Sequence, residues 1–462
     1  MGYVRGEAKG QATLFPVSLD ELVPAEHLCR VIEAFVAQLD LGILGFSKAE
    51  PAATGRPGYD PAELLKLYLY GYLHQVRSSR RLEQECRRNV EVMWLLGRLV
   101  PDHKTIAEFR RYEGRALRET CASFVRLLRA AGVVRAEWVA IDESKFQAVA
   151  SPNAVLWEED VAAERGRLEQ QASEYLTMLD AAHAAEASEV PSREAVRAAL
   201  GLLEQQHAQL AVGRARGEPE ARLLRGQRGP SYNVQAAVDA AHGVIVAHAV
   251  TDEASDNRSL QPMAEAARAA VDATTLNVVA DAGYSNGAQA EALEAQGIMP
   301  HVPANRSANT QGGGTLFDRS AFEYDAHGDR YRCPGGAFLE RKQRQARKHR
   351  TLYIARASDC GGCVLRPGCT AGEQRYLTRH WHDEALLRMQ ARATPERMRL
   401  RSATAERPFA ELKHRIFEKP RFLLRGRWGA GTEMTIAVLA YNLKQALRAL
   451  GCRGLMESLA AA

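Results

Sequence analysis

Long hydrophobic runs are missing from this 462-residue chain. None approaches the roughly 18 residues that a membrane-spanning helix needs. The opening Met1-Gly2-Tyr3-Val4-Arg5 has no apolar stretch of the signal-peptide kind. A membrane-spanning helix is therefore not expected, and a cytoplasmic protein is. No segment recurs with a period of about 20 to 50 residues, which excludes a solenoid or propeller. Cysteine is sparse, eight in the whole chain, too few and too scattered for a secreted disulfide framework. Net charge is small as well, only +5, so bulk charge says little about partners.

What is present is an ordinary globular composition, 46% hydrophobic and 25% charged, which excludes a disordered chain. At roughly 150 residues per domain, the length suggests about three domains. Charge is segregated along it. Leu73 to Arg118 holds 11 Lys/Arg against 6 Asp/Glu, Arg397 to Arg427 holds 10 against 3, and Glu340 to Arg350 holds six basic residues and one acid. Together these exceed the net charge of the chain, so the remainder is acidic. Clustered arginine attracts phosphate backbones through counterion release and bidentate contacts. Any one run is equally a solvated helix face; three of them point to nucleic acid.

Residues 18 to 46 have apolar residues at helical spacing, and further short helices follow through residue 128, several with arginine on the polar side. They resemble a helix-turn-helix array, or a plain helical bundle. The pattern changes at Val133. Trp138-Val139-Ala140-Ile141-Asp142 is a short apolar run ending in a carboxylate, and Leu276-Asn277-Val278-Val279-Ala280-Asp281 is another. Tyr232 to Asp239 and Gly243 to Val250 read as a β-hairpin. Residues 156 to 228 are rich in Glu, Ala, Gln and Arg and break at Pro191-Ser192, as a helical hairpin would. Residues 305 to 395 carry Gly312-Gly313-Gly314, a cysteine cluster and a basic patch. A final helix over about 432 to 450 is apolar on one face. The order of strands and helices predicts an α/β fold, a mixed sheet flanked by helices.

Carboxylates at strand ends lie where a ligand crevice forms, and two-metal phosphoryl transfer needs a few of them to hold Mg²⁺ ions about 4 Å apart. Asp142 and Asp281 supply two, and Glu406, in a basic helix, is the candidate third. Arg399, Glu406 and Lys413 are spaced by seven, which puts them in one row of a helix, about 10 Å apart. A basic helix is expected over about 398 to 418; Pro408 suits only a first turn, which leaves open a start near Arg407 with Arg399 on a separate segment. Asp239, at another strand end, reads as a hairpin residue.

Here the chain resembles the DDE-class transposases of bacterial insertion sequences. The likeness rests on Val139-Ala140-Ile141-Asp142-Glu143-Ser144-Lys145, on Val278-Val279-Ala280-Asp281-Ala282-Gly283-Tyr284, and on Glu406 with Lys413 seven residues on. Val76-Arg77-Ser78-Ser79-Arg80 and Pro101-Asp102-His103-Lys104-Thr105 resemble the N-terminal domain of the same family. Two departures stand out. Met398 and Arg401 are the nearest match to the Tyr and Arg of the family's last signature, and Glu143-Ser144 replaces its commoner Gly-Thr.

The resemblance implies an RNase H-like core with an all-helical N-terminal domain and two insertions. The parts are a helical DNA-binding domain at 1–132, core segments at 133–155, 229–304 and 396–462, a helical hairpin at 156–228, and a cysteine-rich basic loop domain at 305–395. It implies that Asp142, Asp281 and Glu406 bind two Mg²⁺ (or Mn²⁺) and catalyse DNA cleavage and strand transfer. The implied partners are double-stranded DNA, both transposon terminal inverted repeats and target, and a second copy of the chain, at the nucleoid. The DNA contacts expected are Arg399, Arg401, Lys413, Arg80, Arg81, Arg87, Arg88, Lys104, Arg110 and Arg111. The alternatives are a DNA-binding derivative without cleavage, and an RNase H-like nuclease without joining.

Four of the cysteines, Cys333, Cys360, Cys363 and Cys369, cluster in sequence. Tetrahedral Zn²⁺ accepts four sulfurs, and Gly361-Gly362 suits a tight knuckle; the alternative is four reduced, unligated thiols. His349 and His380 nearby read as solvated or DNA-facing. Cys29, Cys86, Cys121 and Cys452 read as small buried hydrophobes.

Overall fold

The computed structural model describes residues 18–51, 54, 57–184, 193–304 and 316–461. The opening Met1 to Arg5, the break at Pro191-Ser192 and the glycines 312–314 lie outside the described residues.

Six helices come first: α1 (Leu28–Ala37), α2 (Pro61–Leu73), α3 (Ser79–Arg88), α4 (Val90–Leu95), α5 (His103–Tyr112) and α6 (Gly114–Ala130). Side-chain caps fix their starts. Asp60 accepts from the Ala62 N–H at 2.8 Å, with Pro61 in the first turn, and Asp102 accepts from Lys104 N–H at 2.9 Å and Thr105 N–H at 3.1 Å. Residues 18 to 46 are not one helix. A 3₁₀ turn at Leu19–Leu22 precedes α1, because Pro24 has no N–H for a helical ladder. Helix α2 is buried nearly all round, from Pro61 to Tyr72, and is the hub of this region.

Strand β1 (Trp138–Gln147) opens the sheet region. Helices α7 (Glu158–Ala184) and α8 (Arg193–Gln209) follow and face one another across Gln171, Tyr175, Ala199 and Leu203. Strands β2 (Arg214–Ala215) and β3 (Glu218–Leu223) come next, where the sequence suggested that the helical hairpin runs on to 228. Then come β4 (Pro230–Asp239), β5 (Ile245–Thr251), α9 (Leu260–Ala270), β6 (Leu276–Val279), α10 (Gly287–Ala295) and β7 (Ile298–His301). The sheet order is β2-β3-β4-β1-β6-β7, with β5 also paired to β4. Within it β5, β4 and β1 are antiparallel neighbours, while β1, β6 and β7 run parallel. Strand β4 is buried along its whole length, as the middle of a sheet covered on both faces must be.

A second, antiparallel sheet stands where a loop domain was expected. Its strands are β8 (Glu323–Asp325), β9 (Arg330–Arg332), β10 (Phe338–Gln345), β11 (Arg350–Ala355) and, after the one-turn helix α11 (Ala357–Gly361), β12 (Tyr376–His380). They form a meander, each strand beside the next, around a small core of Phe322, Tyr331, Leu339, Tyr353, Ala355 and Leu377. Arginine content masked these strands in the sequence, since β10 alternates little and is mostly exposed. Helix α12 (Asp383–Arg392) returns to the first sheet, where Arg388 and Arg392 pair with Glu294 of α10 at 2.6 and 2.5 Å.

Helix α13 (Pro395–Glu411) and the turn after it cover nearly all of the expected 398 to 418, with Pro408 inside the helix, so the alternative start near Arg407 is not taken. The missing Pro408 N–H is accommodated because the chain loosens one turn later into a π-helical turn, Leu412–Ile416, where Phe417 N–H donates to Leu412 C=O at 2.8 Å. Burial of Pro408 and Phe409 compensates for the lost bond. Helix α14 (Gly426–Ala460) is longer than the expected 432 to 450 and kinks at Gly451, where φ is +70°. Its Asn442 amide grips strand β5, accepting from Ile245 N–H at 2.9 Å and donating to Ile245 C=O at 2.8 Å. Among the described residues no helix is long and apolar enough to cross a membrane.

Candidate active site

Sheet register brings the two aspartates together. Strands β1 and β6 pair in parallel with Trp138 opposite Asn277, Val139 opposite Val278 and Ala140 opposite Val279. Two residues further along, the same register sets Asp142 beside Asp281. Asp142 itself lies in mid-strand, because β1 runs on to Gln147, whereas β6 stops at Val279. Asp281 caps the turn that follows, accepting from Gly283 N–H at 2.8 Å. A side chain at Gly283 would sit 3.0 Å from that Asp281 oxygen, so one there would crowd the carboxylate.

Helix α13 lies directly across these strands because the contact residues are small: Ala405 packs on Ala140 and Val279, with Trp138 and Met398 at the margin. That approach delivers Arg401 into the site. Its guanidinium is 2.5 Å from Asp142, 3.8 Å from Asp281 and 3.9 Å from Glu406. Arg401 therefore touches all three carboxylates singled out from sequence, and is not held out toward solvent as a phosphate contact. Glu406 is brought near by that arginine and remains 66% exposed.

Sequence reasoning missed two acids. The carboxylate oxygens of Asp142, Glu143 and Asp281 all lie within 4.8 Å of one another, and Glu406 is not in that set. Asp256 completes the acidic wall, held by the amides of Asn233 and Gln235, each at 2.7 Å. The Tyr284 hydroxyl donates to Gln235 and orients it. Glu143 was legible only as the residue next to Asp142, and Asp256 not at all, since it lies on a loop after β5.

Burial and crowding set the electrostatics. Burial pushes the Asp142 carboxyl up, opposed mainly by Arg401. Glu143 is pushed up to about 7, by burial first and then by Asp256, Asp142 and Asp281. Lys413, on the π turn, is pushed down by burial, with Glu143 opposing, and its ammonium lies over the Phe146 ring at 5.7 Å. Such a wall of like charge is tolerable only beside positive charge. Oxygen ligands this close are the donor set that Mg²⁺ or Mn²⁺ prefers, so the residues present fit a divalent ion.

The other basic residues separate into two groups. Arg80, Arg81, Arg87, Arg88, Lys104, Arg111 and Arg399 are exposed. Arg87 and Arg88 pair along their own helix with Glu83 at 3.1 Å and Glu85 at 2.5 Å, contacts cheap to exchange for phosphate. Arg110, by contrast, is 4% exposed. It donates to Arg77 C=O at 3.0 Å and lies 3.9 Å from the fully buried Glu433, so it is a structural cation and is not open to DNA. Arg77 joins the same knot, donating to the carbonyls of Arg421 and Phe417, each at 3.1 Å. Asp239 is buried in its hairpin, accepting from Ala136 and Ala241 N–H at 2.9 and 3.0 Å.

Two family models match the chain. The transposase domain DUF772 matches residues 17–112, and the transposase DDE domain matches 219–443, a span that holds Asp256, Asp281 and Glu406 while Asp142 precedes it. No curated protein matches it. With both transposase domains in order along one chain, and Asp142 of β1 meeting Asp281, just past β6, under α13, the chain belongs to the DDE transposases of insertion sequences.

Proposed function

We propose that this transposase binds the ends of its element, cuts a DNA strand there and joins the freed end to target DNA, using Asp142, Asp281 and Glu406 with divalent ions. The observation that carries this is the β1–β6 register, which sets Asp142 beside Asp281 under a helix bearing Glu406. The strand order β5-β4-β1-β6-β7, antiparallel then parallel, supports an RNase H-like core. Residues 158–209 and 316–392 are then its two insertions, one a helical hairpin and one carrying the second sheet.

In this reading Asp142 and Asp281 hold the ions from the sheet, Glu143 adds a nearby oxygen, and Glu406 closes the set from α13. Divalent ions, if held by these carboxylates, would supply positive charge to an in-line displacement at phosphorus. In the first step water adds to phosphorus and the P–O3′ bond breaks, leaving a 3′-hydroxyl and a 5′-phosphate. In the second that hydroxyl attacks a target phosphodiester and expels the target's own 3′-oxygen. Arg401 would be free to contact the DNA backbone if ions took its place between the carboxylates. Lys413 and Arg399 flank the scissile phosphate. Arg80, Arg81, Arg87, Arg88, Lys104 and Arg111 hold the double-stranded end through its phosphates, independently of sequence. The active species on DNA is a homodimer, working in the cytoplasm at the nucleoid.

The test is a labelled duplex of the element's own terminal repeat, incubated with the protein, Mg²⁺ and supercoiled target. Nicked and joined products are expected. Nicks without joined products would favour a nuclease, and binding without nicks a silent derivative.

A further inference from the structure

The four clustered cysteines come from three separate turns of the second sheet's domain and converge on one pocket. Cys333 follows β9 in a tight turn, Cys333-Pro334-Gly335-Gly336, closed by Gly336 N–H to Cys333 C=O at 2.9 Å with Gly336 at φ +86°. Cys360 lies in the one-turn helix α11, and Cys363 N–H donates back to Cys360 C=O at 3.3 Å across Gly361-Gly362. Cys369 N–H donates to Arg366 C=O at 2.9 Å, closing a third turn. None of the four is in a disulfide, and each is half-buried. A side chain at Gly335 would stand 3.3 Å from the Cys363 sulfur and 3.7 Å from that of Cys333, so the glycine keeps open the space between two thiols from different turns.

The domain also needs such a tie. Its own core is six side chains, with Cys333, Cys360 and Cys369 packed at its edge. A core that small rarely holds a fold without a metal or a cross-link.

We propose that Cys333, Cys360, Cys363 and Cys369 bind one structural Zn²⁺ as a tetrathiolate. Four thiolates suit zinc and not the magnesium of the acidic wall. The sulfurs are not among the groups whose ligand atoms all lie within 4.8 Å of one another, so binding draws the three turns together. The ion thereby fixes the base of β10 and β11, whose far end exposes Arg341, Lys342, Arg344 and Arg347.

The test uses the full chain, purified without chelator and analysed for metals. About one equivalent of zinc is expected, retained in Asp281→Ala and Cys452→Ser. It should fall below about a tenth of an equivalent in Cys360→Ser/Cys363→Ser. Cobalt substitution of the wild-type chain should give the intense visible bands of tetrahedral thiolate ligation, a readout that does not depend on the variants folding. Less than half an equivalent after zinc reconstitution would overturn the proposal. So would zinc that persists in the double variant, or iron with a cluster absorption in place of zinc.

Discussion

The guanidinium of Arg401 stands 2.5 Å from the Asp142 carboxylate and within 4 Å of both Asp281 and Glu406. It therefore occupies the space between these carboxylates. A divalent ion held by the same oxygens would compete with the arginine, and the cost of moving it would be set against ion binding in the wild-type chain.

Replacing that cation follows directly. Arg401→Gln leaves the acidic wall without its counter-charge, so the metal-free variant should melt lower than wild type. Added Mg²⁺ should then raise its Tm by more than it raises that of wild type, by about 1 °C for each kcal/mol of difference. Equal Mg²⁺ shifts in the two proteins would separate Arg401 from the metal site.

Glu143 tests how many oxygens the site uses. Its carboxylate lies within 4.8 Å of both aspartates. Glu143→Gln keeps the shape and removes the charge, and should weaken Mg²⁺ or Mn²⁺ affinity about tenfold, near 1.4 kcal/mol. Calorimetric titration of Mn²⁺ checks this, and unchanged affinity would leave Glu143 a bystander.

The buried acid Glu433 lies at the junction between the helical N-terminal region and the rest. Glu433 accepts from Leu423 and Leu424 N–H at 2.7 and 2.6 Å and faces Arg77 at 3.4 Å. Glu433→Ala strands buried cations and amides, and should cost about 3–5 kcal/mol of stability, measured by urea denaturation. A loss under about 1 kcal/mol would contradict this account of the junction.

Acid sensitivity should come partly from His248. This half-buried ring lies 2.9 Å from the Thr435 hydroxyl, and burial, then Arg118, pushes it down to about 4. The folded value is below the unfolded one, so the unfolded chain takes up the proton first. The stability His248 contributes is therefore present above about pH 6.5 and is lost as pH falls through about 4. After allowance for solvent screening the loss at pH 5 is on the order of 1 kcal/mol. His248→Gln should flatten the fall in urea midpoint between pH 7 and pH 5; an unchanged slope would assign it to other groups.

Much of this was legible in the sequence because periodicity reports burial. The β4–β5 hairpin and the runs leading to Asp142 and Asp281 were readable from apolar spacing alone. Three features were not. Strands β2 and β3 are short and polar, so nothing separated them from the helical segment before them. The second sheet is built from arginine-rich strands whose faces do not alternate. Pro408 suggested a helix start because local propensity was weighed without the tertiary burial of Phe409 and the π turn that absorb it. At the site the aspartates were visible as strand-end carboxylates. That Arg401 lies among them, and that Arg110 is buried against Glu433, depend on packing between segments hundreds of residues apart.

The central claim is that the carboxylates under α13 carry the DNA chemistry. Its most direct measurement is the single-turnover rate of terminal-repeat cleavage in Mg²⁺ for wild type, Asp142→Asn, Asp281→Asn and Glu406→Gln, with affinity for the same duplex measured alongside. Each substitution should slow cleavage at least about a thousandfold, some 4 kcal/mol of barrier, with affinity changed by less than about threefold. Cleavage that persists within about tenfold of wild type in Asp142→Asn or Asp281→Asn would contradict the account.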